Sequence, residues 1–169
     1  DSMRSYHPAM VEVSQSLREE LLRVPDQASF AETSSSVALE VIGRCGFGHS
    51  FGFGDPDGEA GRNAFIDALT RTLAYTQETA IPVIGSITGR NRRRQADADT
   101  DLILGTVNQV LEDRRRSGLR ADDLLDLMLY PTSEESKLDD ENIRHQMLTF
   151  LVAGHETTSG ALSFALYYL

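Results

Sequence analysis

The chain has 169 residues, with 16 basic against 26 acidic side chains and a formal net charge of −10; 40% are hydrophobic and 25% charged. That length and apolar content can bury the core of one ordinary domain, and the acidic balance excludes a surface built to displace counterions from nucleic acid. The single cysteine, Cys45, excludes an internal disulfide framework and a zinc site built on paired cysteines.

Apolar residues recur at helical spacing from residue 6 to about 22 (Met10, Val13, Leu17, Leu21), predicting a first helix closed by Pro25. A second starts near Ser29, turns Phe30, Val37, Val41 and Ile42 inward, and ends in Gly43-Arg44-Cys45-Gly46. Residues 46–58 hold too much Gly, Asp and Pro to continue a helix and read as loop. Residues 63 to about 80 are helical again, with Phe65, Ile66, Leu69 and Leu73 inward, until Pro82. The arginines at 90 and 92–94 read as a solvated loop, with an acidic partner surface as the alternative. Residues 97–116 form a long helix with Leu102, Ile103, Val107, Val110 and Leu111 inside, and 122–129 a short one halted near Pro131. No alternation of strand length and no internal repeat is present. The fold class is all-α.

The last helix carries the sharpest start signal. Asp139 can cap it, Asp140 and Glu141 face the positive end of its dipole, and Leu138 with Ile143 makes a hydrophobic staple. Beyond it, Met147, Phe150, Ala153, Gly154, Thr157 and Ala161 fall in one sector at 100° per residue. The apolar run is interrupted by His155-Glu156-Thr157-Thr158-Ser159. A carboxylate at a bilayer centre costs about 2.5–3.5 kcal/mol, so a buried helix of a cytoplasmic protein is expected rather than a membrane span.

The interruption itself needs a reason. Glycine inside a helix costs about 1 kcal/mol against alanine. A mid-helix threonine tends to bond the carbonyl four residues back and bend the helix. A carboxylate in an apolar run needs a partner, water or a raised pKa. Such choices gather at functional sites. Gly154 would admit something large and flat, Thr157 could hold a small oxygen ligand and water, and Glu156 could pass protons. Close helix–helix packing at Gly154, with the threonines satisfied locally, explains the same residues equally well.

Ala153-Gly154-His155-Glu156-Thr157-Thr158 closely resembles the A-G-x-[DE]-T-[TS] motif in the long central helix of the cytochrome P450 monooxygenases. The flanks from Leu138-Asp139-Asp140-Glu141-Asn142-Ile143-Arg144 onward look like the bacterial fatty-acid hydroxylases whose haem domain is fused to a flavin reductase. Upstream, Tyr6-His7-Pro8-Ala9-Met10, Ile42-Gly43-Arg44-Cys45-Gly46-Phe47 and Asp122-Asp123-Leu124-Leu125 stand in family order, so the resemblance covers essentially the whole chain.

The resemblance implies haem b and its iron, O2, NADPH, a small apolar substrate, and FAD and FMN on a reductase, fused or separate. Residue by residue, it implies that Ala153 and Gly154 lie against the haem. Thr157 would be the alcohol that hydrogen-bonds bound oxygen or its water, and Glu156 the acid of the proton relay. Leu69 and Leu73, with Phe65 beside them and Phe150 on the central helix, would line the substrate channel; ordinary core is the alternative for these side chains. The family's ligand signature, F-x-x-G-x-R-x-C-x-G, does not occur, no E-x-x-R helix follows the motif within these residues, and Cys45 reads as a small buried residue rather than the axial ligand, so no metal ligand is assigned. With no Met at position 1 and an apolar run at Leu169, residues 1–169 are expected to be an internal fragment of a haem domain, inactive alone. The alternative is a non-catalytic helical interaction module or remnant.

Other patterns point elsewhere only weakly. Ser159 stands where a zinc-protease motif needs histidine, and the glycines from 46 to 54 lack phosphate-loop spacing. Asp55-Pro56-Asp57-Gly58 reads as a turn, and His49 and His145 have no partners at ligand spacing.

Overall fold

The computed structural model describes residues 2–23, 30–79 and 90–168. Among these, α1 spans Ser2–Arg23, α2 Phe30–Phe47, α3 Glu59–Thr79, α4 Arg90–Ser117, α5 Leu124–Leu129 and α6 Asp140–Tyr168, with one turn of 3-10 helix at Glu134–Ser136. No strand occurs among the described residues, so the all-α reading stands. None of the described helices is long and apolar enough to cross a membrane. The expected stops at Pro25 and Pro82 lie outside the described residues.

Helix starts follow the local chemistry. The Asp139 carboxylate accepts from the Asn142 amide at 2.8 Å, and the Ile143 amide bonds the Asp139 carbonyl at 3.0 Å, so Asp139 caps α6 as its sequence promised. Leu138 packs against the cluster that holds Ile143, completing the staple. Asp123 caps α5 in the same way, accepting from the Asp126 amide at 3.0 Å. The arginines at 90 and 92–94 are not loop; they form the first turn of α4, where Arg92 pairs with Glu78 of α3 at 2.6 Å. That pair holds a cation at the positive end of a helix dipole, against the usual preference.

The core is shared by α2, α3, α4, α5 and α6. Leu39, Phe47, Phe65, Leu69, Ile103, Val107, Leu111, Leu125, Ile143, Met147 and Leu151 are all buried in one cluster. Helix α2 lies against α6, α3 against α4, and α1 rests on α2. Three residues expected inside are exposed instead: Met10, Phe30 and Leu102. Periodicity marks an apolar stripe but not its edges, and the neighbouring helix covers only part of each stripe.

Polar ties hold the helix ends. Arg114, only 7% exposed, donates to Asp123 at 2.9 and 2.6 Å, to Asp126 at 2.8 Å and to the Phe47 carbonyl at 3.0 Å. Gly48, at φ +60°, passes so close that a Cβ would sit 2.5 Å from this guanidinium. Buried Glu40 accepts from the Ser50 hydroxyl and the Phe51 amide, both at 2.7 Å, and so folds the glycine-rich loop onto α2. Arg71 grips Asp99 with two bonds of 2.9 and 2.8 Å, joining α3 to α4.

Burial pushes the Asp126 carboxyl up, but Arg114 and the Ala121 and Asp122 amides outweigh it and hold it below the usual range. Arg71 and Gln95 do the same for Asp99 against its own burial. Both groups therefore contribute stability that is complete well above the ordinary carboxylate value, about 3.9, and is lost as pH falls through their lower folded values. Denaturant midpoints should stay level near neutrality and drop steeply below about pH 4. Asp123→Ala should cost about 3–5 kcal/mol, because it strips a partner from a buried guanidinium and removes the α5 cap. Urea unfolding of the variant checks this, and a loss under about 1 kcal/mol would show that Arg114 is not the tie described.

Candidate functional site

The site is built on α6, whose faces have different neighbours. Ile143, Met147, Leu151 and His155 form the buried line against the core and α2. Phe150, Ala153, Thr157 and Ala161 form an exposed line, with Phe150 at 38%. Leu148 and Val152 lie between these lines and face α3 and α4. The residues that sequence placed in one sector are thus divided: Met147 is core, and Phe150, Ala153, Thr157 and Ala161 look outward.

Gly154 sits at the boundary. A Cβ built there would collide with Cδ1 of Ile42 from α2, so the absent side chain is space that a neighbouring helix uses. This is the packing explanation of the glycine, at the residue where the sequence left two open. One step on, the His155 ring is buried, with Nε2 2.7 Å from the Ser35 hydroxyl of α2. Burial lowers the His155 pKa, partly opposed by the Glu156 charge, so the ring is neutral near pH 7. Ile42 and Ser35, two turns apart on α2, hold consecutive residues of the motif.

On the exposed side the Thr157 hydroxyl donates to the Ala153 carbonyl at 2.7 Å, the four-residue back-bond its position predicts. Ser159 does likewise to the Glu156 carbonyl at 3.0 Å. Glu156 is exposed, so water solvates its carboxylate and the expected burial penalty does not arise.

Next to this stretch is an apolar cavity of about 210 Å³ between α3, α4 and α6. Leu69, Leu73, Ile103, Leu104, Leu148 and Val152 form most of its wall. Leu69 and Leu73 are therefore together at one cavity, while Phe150 faces away from it on the exposed line. A larger cleft of about 740 Å³ lies between the start of α2, the glycine-rich loop and α3. Its wall carries Glu32, Asp55, Glu59 and Asp67, which suits neither an apolar chain nor an anion. The smaller cavity is the one beside the motif.

The cytochrome P450 family profile matches residues 1–169. The chain belongs to the cytochrome P450 family. It is 35% identical over 175 residues to a bifunctional cytochrome P450/NADPH–P450 reductase of Bacillus cereus, covering 99% of this chain and 16% of that protein. A similarly named protein of Bacillus subtilis is 36% identical over 175 residues, with the same coverage. A self-sufficient cytochrome P450 monooxygenase of Exserohilum turcicum is 33% identical over 141 residues, covering 82% of this chain and 13% of that one. The chain thus spans about one sixth of the length of the bacterial relatives it matches.

In this P450 chain the residue that sequence reasoning left without a role is His155. Its signal was present, a ring nitrogen in an apolar run, but the partner is 120 residues away on α2. Cys45 lies on the α1 side of α2, its sulfur 4.0 Å from the Tyr6 carbonyl, and burial pushes its thiol up against the pull of Arg44. Cys45 is thus half-buried, where the sequence predicted full burial, and its raised pKa disfavours the thiolate.

Gly154→Ala should destabilise the chain by about 1 kcal/mol, since crowding costs about 1–3 and the better helix propensity returns about 1. Ile42→Val in the same chain removes the colliding methyl and should recover most of that. Chemical unfolding of the single and double variants tests the pair; a midpoint unmoved by Gly154→Ala would dismiss Ile42 as the reason for the glycine.

Proposed function

We propose that this chain is the oxygen- and substrate-facing part of a haem-dependent monooxygenase. On this reading the enzyme inserts one oxygen atom from O2 into a fatty acid or similar small apolar substrate. Electrons come from NADPH through a flavin reductase carrying FAD and FMN, fused or separate, and the supply of NADPH puts the protein in the cytoplasm. The observation that supports it most is the outward line of Ala153 and Thr157 on α6, beside the apolar cavity that holds Leu69 and Leu73.

The residues present suit one face of a haem. Ala153 is small and exposed, so a flat ring can rest on the helix there, with the edge of that contact at Gly154, whose other side Ile42 covers. Haem iron, once bound, supplies activation of O2. Thr157 offers a hydroxyl that can accept from water while it donates to the Ala153 carbonyl. That carbonyl is shared between the helix and the hydroxyl, so a small shift frees the Thr157 proton for a ligand. Glu156, about 100° round the helix and open to solvent, exchanges protons with water and can pass them toward Thr157.

Leu69, Leu73, Leu148 and Val152 keep water out and hold an alkyl segment, each buried CH2 contributing about 0.8 kcal/mol. Phe150, on the same line as Ala153, would meet the substrate from the outer side. On this reading Cys45, its sulfur set against the Tyr6 carbonyl of α1, would not hold the haem iron, and the chain alone is expected to be inactive. A non-catalytic packing module is the second reading, and Ile42 seated on Gly154 is the observation in its favour.

Thr157→Ala in the haem-loaded protein should lower product formed per NADPH consumed several-fold and raise released peroxide, with the fold intact. The variant loses one exposed hydroxyl, so its unfolding midpoint should move by less than about 1 kcal/mol equivalent. Coupling equal to that of the unaltered protein would sink the role given to Thr157.

A further inference from the structure

We propose that His155 is a positioning residue. Its hydrogen bond to Ser35 clamps the weakest stretch of α6 against α2, and so fixes the direction of the Thr157 hydroxyl and the Ala153 carbonyl. The proposal rests on the role of Thr157 given above.

Three features make this stretch weak. Gly154 adds backbone freedom, the Thr157 hydroxyl draws on the Ala153 carbonyl, and the Ser159 hydroxyl draws on the Glu156 carbonyl. Each back-bond competes with a helical N–H for its acceptor, so residues 153–160 have softer helical bonding than an apolar helix of this length. Along the outer face Ala153, Glu156 and Thr157 are exposed, and nothing described packs there to stiffen the helix.

The opposite face supplies the restraint. Ile42 presses on Gly154, but an apolar contact limits approach and not rotation. The bond from Ser35 to His155 is directional, 2.7 Å long and set in a part-buried place where water competes poorly. Thr157 is two positions after His155, about 200° round the helix, so the clamp acts from behind without touching a ligand. An imidazole buried only for packing would be replaced by leucine without loss, because its polar nitrogens add a desolvation cost. Here the Ser35 hydroxyl offsets that cost and gives the ring one orientation.

The test uses His155→Leu, Ser35→Ala and His155→Gln, the last carrying an amide that can meet Ser35. In the chain itself, hydrogen exchange at the amides of residues 153–160 should quicken roughly fivefold in the Leu and Ala variants and return close to the original with Gln. In the haem-loaded protein, the Leu and Ala variants should release several-fold more peroxide per NADPH at unchanged haem content, with Gln restoring coupling. If His155→Leu fails to fold, Ser35→Ala, which leaves the ring in place, carries the same comparison. Exchange that quickens evenly over all six described helices would make His155 ordinary core and overturn the clamp. So would a protein uncoupled by Thr157→Ala yet fully coupled with Ser35→Ala and His155→Leu. Should Thr157→Ala itself leave coupling intact, the functional reading falls first and takes the positioning role with it.

Discussion

A single buried guanidinium organises the ends of the helices. Arg114 reaches from the last turn of α4 to the carbonyl that ends α2 and to both carboxylates that begin α5. A charge in that position is tolerable only when every donor is engaged, so its partners are held to a narrow geometry. Burial opposes the Arg114 charge, but its bonds to Asp123 and Asp126 outweigh that and raise its pKa. The glycine at 48 and the cap at Asp123 are consequences of this one contact. Helix α2 is anchored at its C-terminal end by it, and everything α2 does farther along depends on that anchor.

What α2 does is divide α6 into faces with separate tasks. Leu39 and its neighbours take the Met147 and Leu151 side into the core. Ser35 and Ile42 meet the motif at His155 and Gly154. The faces that α2 leaves alone are the exposed line of Ala153 and Thr157 and the cavity line of Leu148 and Val152. One helix is thus packed on one side and, in the function proposed above, chemical on the others. The change from apolar to hydroxylic residues at 153–159 follows from that division, because the hydroxyls cluster where none of the described helices packs.

Much of this was legible in the chain. The cap at Asp139, the staple at Leu138 and Ile143, and the stops in glycine-rich loops are local events, set by residues within one turn of one another. Burial of Val13, Leu69, Val107 and Leu111 follows from the 3.6-residue period. The period failed where a stripe was wider than its neighbour, at Met10, Phe30 and Leu102. It failed again at residues 90–94, where a run of arginines looked too polar for a helix but found Glu78 on α3. Nothing within a turn of Arg92 announces that carboxylate.

The motif shows the same limit at finer scale. Its six residues together with their flanks were enough to recognise the family, since Gly, Glu and two Thr in an apolar helix are costly and rarely coincide. Sequence by itself determined the helices, their caps, the weak stretch at 153–159 and the Thr157 back-bond, because each depends on residues at most four apart. Tertiary structure alone decided which side of that stretch is covered, that Ile42 lies against Gly154, and that His155 has Ser35 as its partner. Those outcomes depend on residues more than 100 positions apart, and only the packing of α2 on α6, held at one end by Arg114, brings them within bonding distance.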